Sequence, residues 1–536
     1  MAEDRRVRWR LPRRGLLLAL VASLAAGCGV PPADGPADTY GLDLSGIPRP
    51  GSARALVFYV DGLNAAIFEE MLDAGELPTM KRHFVDRGLY APRAVANLPS
   101  VTLANLTSFV TGLFPGHHGV TGINWFDRNR LIWRDYATIA QKNTLDCDYI
   151  APTIYEQFPD ATTVSVFFQP HRGATKFVEN WTSAGPPFFF GWYEFVDRLT
   201  LFRLHLVAEI ARNRGAWPEL TICYLLAPDF RGYGYGASSK EYRDAIRHAD
   251  RQIGRVLGDF ERAGLLDRTV IAVVSDHGMG DVRKHFPLEA FLREEVGLDV
   301  APMHLWEETA FEDRLEAYQN YSAVLYGSGD RYMALCLRKP RRDAGGRVVG
   351  YEPWTVRPVS EDLLSYPLHA NGNGAERGEG KKPSSPSGPS GSLSEEPLSR
   401  CVDLVEAILS PEATLAVACA TERHAAAIRF RDGGEVEFQQ IGGKGRDIRY
   451  RLIQGDDPLG WEGRVPAEML AGEPASPRRW LEATDGTDYP DLPAQLLAYF
   501  RAPRAGDLVV FAAPGRDFME RHNGGHGGPL AFEMHV

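Results

Sequence analysis

Four short apolar runs, each stopped by a polar residue, constrain this chain more than any other feature. "ALVFYV" ends at Asp61-Gly62, "TTVSVFF" at Gln169-Pro170, "LTICYLL" at Pro228-Asp229 and "TVIAVV" at Ser275-Asp276-His277. Runs this short, apolar throughout and rich in β-branched residues, suit strands buried on both faces of a parallel sheet. A fifth run, "DLVVFAA", ends at Pro514-Gly515 and is expected to return to the same core. Helical spacing lies between the runs: Tyr242, Ile246, Ala249, Ile253, Val256 and Phe260 form one stripe. His248 falls off that stripe and is expected to face solvent. Alternating strands and helices predict an α/β/α sandwich with a mostly parallel central sheet. In such folds ligands gather at the carboxyl ends of strands. Asp61, Asp229 and the Asp276–His277 pair all stand at such ends.

The pattern changes after residue 290. "ATLAVACA", "AAAIRFRDGGEVEFQQIG" and "DIRYRLI" read as a strand meander with glycine turns. The expected organisation is a core of residues 53–290 and 500–536, with 291–499 inserted as an α+β cap. A Gly/Ser/Pro-rich stretch near 370–398 reads as a disordered loop within that cap. "PPFFFGWYEFVDRLTLFRLHLV" is either a second, smaller cap element or a buried helix.

With 536 residues, 44% of them hydrophobic, the chain can bury more than one lobe. Its formal charge of -11 argues against a nucleic-acid scaffold, which needs a basic face. Residues 1–28 combine a basic start, the apolar "LLLALVASLAAG" and Cys28, the layout of a signal peptide of lipoprotein type. A signal anchor without lipidation is the alternative. Residues 29–52 read as a flexible tether. The expectation is an exported bacterial protein, periplasmic or at the cell surface, that meets the membrane only through this segment. The remaining cysteines lack CxxC spacing. Cys223 reads as core, and Cys401 with Cys419 are near enough in sequence to permit a disulfide.

Two stretches carry the chemistry. In "LPSVTLANLTSFVTGLFPGHHG" the chain breaks at Pro99-Ser100, and Leu103, Leu106, Phe109 and Val110 then keep a helical period. Thr102 therefore lies near a helix N-terminus, where free N–H groups and the helix dipole favour an anion or alkoxide. In "PDFRGYGYG" an aspartate opens what reads as a glycine loop, with Tyr233 four residues after Asp229.

Together these pieces resemble the alkaline phosphatase superfamily, in its nucleotide pyrophosphatase/phosphodiesterase branch. The matching segments are "VDGL" at 60–63, "PSVTLANLTSFVTGLFPGHHGV" at 99–120, "PDFRGYGYG" at 228–236, "VSDHGMGDV" at 274–282 and "GGHGGP" at 524–529. The resemblance implies two divalent metal ions, typically zinc. Asp61, Thr102, Asp276 and His277 would hold the ion that activates Thr102 as nucleophile, through a phospho-threonine intermediate. Asn105 would donate to a phosphate oxygen. Asp229 and His526 would hold the second ion, but Tyr233 stands where that family places a histidine. A tyrosine phenolate, a water, or a histidine such as His285 or His522 would complete that shell, or the second site is weak. His118 matches a family histidine and is expected to order its loop. His171 or Arg172 would touch substrate or stabilise their loop, and Gly278 and Gly280 would permit a tight turn. The uncharged Val101, Leu103, Ala104 and Leu106 lean towards a diester with an organic group in an apolar pocket. The implied activity is hydrolysis of small phosphodiesters or nucleotide pyrophosphates. The alternatives are a phosphomonoesterase or sulfohydrolase of the superfamily, or a degenerate site that binds without turnover.

Overall fold

The computed structural model describes residues 54–137, 144–179, 181–214, 217–301, 311–328, 331–369, 398–442, 447–519 and 524–526. The signal and tether segments, the Gly/Ser/Pro stretch apart from Leu398, and His522 fall outside them. Among the described residues no helix is long and apolar enough to cross a membrane.

The four apolar runs become β1 (Arg54–Val60), β2 (Thr163–Val166), β4 (Leu220–Leu225) and β5 (Thr269–Val274). With β3 (Lys176–Val178) they form a five-stranded sheet in the order β3-β2-β4-β1-β5. Every pairing in it is parallel. Successive side chains of β1 point to opposite faces, and each face is covered. Leu56, Phe58 and Val60 pack with α1 (Ala65–Asp73), α5 (Tyr193–Arg214) and α7 (Lys240–Arg262). Val57 and Tyr59 pack with Leu103, Leu106 and Val110 of α2 (Thr102–Thr111). This is the expected α/β/α sandwich.

All six stripe residues of α7 are buried. His248 does not face solvent as expected: its side chain is half-buried and burial pushes its pKa down to about 4. The stretch 228–236 is not a loop either. It forms most of α6 (Ala227–Tyr235), which starts with Pro228 in its first turn. The aromatic-rich stretch is mostly helical, forming the end of α4 (Trp181–Phe189) and most of α5.

A second sheet holds seven antiparallel strands. They are β7 (Ala323–Ser328), β8 (Tyr332–Leu337), β9 (Thr414–Glu422), β10 (Ala425–Phe430), β11 (Glu435–Ile441), β12 (Asp447–Gln454) and β13 (Leu508–Ala512). The expected meander is β9 to β12. "DLVVFAA" is a correction: β13 does not rejoin the parallel sheet but sits between β8 and β9. A central strand covered on both faces has the same apolar run whichever way its neighbours point. One hydrophobic cluster runs from Tyr59 and Leu106 through to Ala416, Ile428 and Phe511, so the two sheets share a core. At their junction α3 (Pro115–His118) meets α8 (Leu492–Tyr499) so closely that a Cβ on Gly116 would strike the Ala498 carbonyl oxygen at 1.6 Å.

The Cys401–Cys419 disulfide does not form. Cys401 lies exposed in a separate two-stranded sheet, Cys419 lies in β9, and both thiols are free. Cys223 is core, as read.

Candidate metal centre and nucleophile

Neighbouring strands β4, β1 and β5 end at one edge of the sheet, and that edge gathers Asp229, Asp61 and the Asp276–His277 pair. Asp61 follows β1 directly and its N–H donates to the Leu225 carbonyl. Gly62 adopts φ +72°, and a Cβ there would sit 2.9 Å from Asp229 Cα. Glycine is therefore required on two counts: the left-handed backbone and the approach of α6. The Tyr242 hydroxyl donates to the Gly62 carbonyl at 2.5 Å, fastening this turn to α7.

Each of two carboxylates is anchored by one oxygen and offers the other. Asp61 Oδ2 accepts from the Tyr224 hydroxyl. Asp276 Oδ1 accepts the Gly62 N–H at 3.2 Å and the His277 N–H at 3.1 Å. Asp61 Oδ1 and Asp276 Oδ2 are buried without a hydrogen-bond partner, and lie 3.3 Å and 3.6 Å from His277 Nε2. His277 Nδ1 is 2.8 Å from the Gly278 carbonyl oxygen, which can only accept. Nδ1 therefore carries the proton, and Nε2 turns its lone pair towards the carboxylates. Thr102 Oγ1 stands 3.1 Å from the same nitrogen, and Asp229 Oδ1 4.0 Å from it.

Burial first, then the Asp229 and Asp276 charges, holds the Asp61 carboxyl well above the usual carboxylate range. Buried oxygens without donors are costly unless a cation meets them. Asp61, Asp276 and His277 offer ligand atoms within 4.8 Å of one another. Two carboxylate oxygens and an imidazole lone pair fit a divalent metal, and the His277–Gly278 bond is the outer contact that usually orients such a ring.

The remaining candidates separate. Thr102 opens α2 as expected. The Asn105 Nδ2 donates to the carbonyls of Pro99 and Val101 at 3.0 and 3.2 Å, and its Oδ1 accepts the Asn97 N–H at 2.7 Å. It locks the turn that precedes Thr102. Val101, Leu103, Ala104 and Leu106 are all buried. Tyr233 follows Asp229 by one helical turn, hence on the same face of α6, and packs against the core beside α7. Strand β14 (Gly524–His526) pairs with β6 (Met279–Asp281), placing the His526 backbone opposite Met279, two residues beyond His277. Gly280 lies within β6, not in a turn.

His118 is fully buried, accepts the Val120 N–H on Nδ1 at 3.2 Å and reaches Ser108 of α2 at 3.0 Å. Burial lowers its pKa to about 3, so it is a neutral strut under α2. Arg172 is spent on Glu156 and on the carbonyls of Asp146, Tyr149 and Ala151, while His171 stacks on Phe177. Both stabilise their loop. His285 pairs its Nδ1 with Asp517 at 2.9 Å.

Two contributors were missed. Tyr224 was read only as part of an apolar strand, although a hydroxyl inside an otherwise apolar run, five residues before Asp229, was a usable signal. Asp197 of α5 caps α6 from a distance, accepting the N–H groups of Leu226 and Ala227 at 2.9 and 3.1 Å. Nothing local in the sequence announces that contact.

Fold and site together define an α/β protein with a metal-ready carboxylate–histidine centre beside a threonine at a helix N-terminus. The family model for Type I phosphodiesterase / nucleotide pyrophosphatase matches residues 55–345, more than half of the chain, and the chain belongs to that family. It is 25% identical over 261 residues to ectonucleotide pyrophosphatase/phosphodiesterase 2 of Saccharomyces cerevisiae, covering 47% of this chain and 48% of the yeast protein. It is 24% identical over 250 residues to human ectonucleotide pyrophosphatase/phosphodiesterase family member 1, covering 46% of this chain and 26% of the human one. The chain thus spans half or less of the length of these relatives. Among solved structures, human ectonucleotide pyrophosphatase/phosphodiesterase 5 aligns with a TM-score of 0.47 at 13% identity, covering 90% of this chain and 86% of that one.

Proposed function

We propose that this protein hydrolyses phosphodiester or nucleotide pyrophosphate bonds of small substrates, with Thr102 as nucleophile and divalent metal, zinc in this reading, at the strand ends. The observation that carries the proposal is the Thr102 hydroxyl, 3.1 Å from His277 Nε2 and beside the partnerless oxygens of Asp61 and Asp276. Asp61, Asp276, His277 and Thr102 would hold the activating ion, which when bound lowers the pKa of a coordinated hydroxyl. Thr102 Oγ1 passes its proton to solvent and attacks phosphorus in line. The new Oγ1–P bond forms as the bond to the leaving oxygen breaks, that oxygen takes a proton from solvent, and water then hydrolyses the phospho-threonine and restores the hydroxyl. The N-terminus of α2 favours the negative charge that gathers there. Asn105 holds the turn that aims Thr102, and Tyr224 holds Asp61. The inserted unit after residue 290 would shape substrate choice, and export with a lipid anchor at Cys28 would place the enzyme outside the cytoplasm.

The test is turnover of an aryl phosphodiester against the matching monoester, with bound metal counted. Diester turnover with at least one metal per chain is expected. A preference for monoester moves the reading to the phosphomonoesterase branch, and metal without turnover to a binding protein.

Asp229, Tyr233 and His526 would hold the second ion. Tyr233→His is expected to raise affinity for that ion by about 10-fold to 100-fold, the range over which metal-site contacts act, and to raise turnover with it. Calorimetric zinc titration checks this; an unchanged second binding event means that another group already completes the shell.

A further inference from the structure

We propose that the outer face of α4 and α5 seats this protein on a phospholipid bilayer. Within fourteen residues Phe189, Phe190, Trp192, Phe195 and Phe202 are 72%, 45%, 50%, 37% and 41% exposed. Scattered single exposed hydrophobics need no explanation, but a contiguous aromatic group does. α5 already buries its inner face through Val196, Leu201, Leu204 and Val207. Its outer row, Phe195, Arg198, Phe202 and His205, repeats at helical spacing and is exposed. Such a helix is apolar towards the core and carries aromatic rings with Arg198 towards the outside.

That composition selects the occupant. Aromatic rings with arginine suit the headgroup level of a bilayer, where the ring is buried and the cation meets phosphate. The Arg198 guanidinium lies 5.1 Å from the Phe195 ring centroid. Two neighbouring acids are engaged, Glu194 by both arms of Arg231 at 2.7 and 2.6 Å and Asp259 by His205 at 2.5 Å, and Glu209, one turn beyond His205, is half-buried. In a chain of formal charge -11 this face thus still offers an anionic surface a cation in Arg198. Residues 29–53, between Cys28 and β1, could reach roughly 80 Å when extended, enough for an anchored chain to lay either end of its core on the membrane.

The face is fastened to the site. Phe188 meets Phe230 edge-on at 4.9 Å and Tyr193 stacks on it at 4.7 Å between ring centroids, and Asp197 caps α6. Asp229 follows in the first turn of that helix. Seating the aromatic face would thus hold the Asp229 side of the centre next to the lipid surface.

The experiment uses the full chain with vesicles of phosphatidylcholine and phosphatidylglycerol carrying brominated acyl chains, which quench tryptophan only within the bilayer. Wild type is expected to show a quenched component that Trp192→Phe abolishes. Phe189→Ser with Phe190→Ser should reduce that component at least about tenfold, while hydrolysis of a soluble aryl diester stays unchanged. Reading Trp192 itself separates this contact from any held by the N-terminal segment. Equal quenching in wild type and Trp192→Phe overturns the proposal. So does a concentration-dependent dimer that the double serine variant dissolves without lipid quenching, which would make a second copy the occupant.

Discussion

Thr102→Ala is expected to lower aryl phosphodiester turnover by roughly 10^3-fold to 10^6-fold, the usual loss when a covalent nucleophile is removed. The fold should survive the change. Thr102 is the first residue of α2 and not its cap; Val101 precedes it in extended conformation, and no side-chain cap bond is made there. Alanine is the strongest helix former, so the helix start is kept. The Asp61, Asp276 and His277 ligand atoms remain within 4.8 Å of one another, so metal should still bind, if more weakly. Thr102→Ser keeps the hydroxyl and should stay within about 10^2-fold of wild type, a loss typical of imperfect positioning. Single-turnover kinetics, bound metal and melting temperature, measured together, check the set. An alanine variant that retains turnover would remove Thr102 from the chemistry while leaving the metal centre in place.

The four strand ends were legible because a strand buried on both faces leaves an unbroken apolar run, and a polar residue stopping such a run is conspicuous. Asp61, Asp276 and His277 followed from that, and Thr102 from a change to helical period. What failed depended on distant contacts. "PDFRGYGYG" looked like a loop because glycine is a poor helix former. Its helix is started by Pro228 and held by Asp197, some thirty residues earlier, and a Cβ on Gly232 would meet Met279 Cγ at 2.6 Å. The glycine that suggested a loop is there for close packing. β13 failed for a different reason: strand direction leaves no mark on a fully buried run. The phosphate role of Asn105 came only from the family resemblance, and no sequence pattern announces that its amide meets four backbone groups of the preceding turn.

Asp276→Asn should melt above wild type in chelator and below it in zinc. In chelator, wild type keeps Asp61, Asp229 and Asp276 close together, and burial with the other two charges already pushes the Asp61 carboxyl upward. A carboxyl with a raised native pKa contributes stability that is full below about 4 and lost as pH rises, because the unfolded chain releases its proton first. Asparagine keeps Oδ1 for the N–H groups of Gly62 and His277 and replaces the partnerless oxygen with a donor that faces Asp61 Oδ1. The variant is therefore expected to melt above wild type in chelator, by a margin that widens as pH rises. Zinc changes the balance. At 100 times its dissociation constant a ligand that binds only the native state adds about 2.7 kcal/mol, and wild type should gain most of this. The variant, with one carboxylate ligand neutralised, should gain little and lose turnover by at least about 10^3-fold. Calorimetric melts of both proteins, in chelator and in zinc across this pH range, give the four curves needed. Parallel shifts, with no crossing, would mean that zinc does not bind through Asp276 and that the partnerless oxygens do not mark a metal centre.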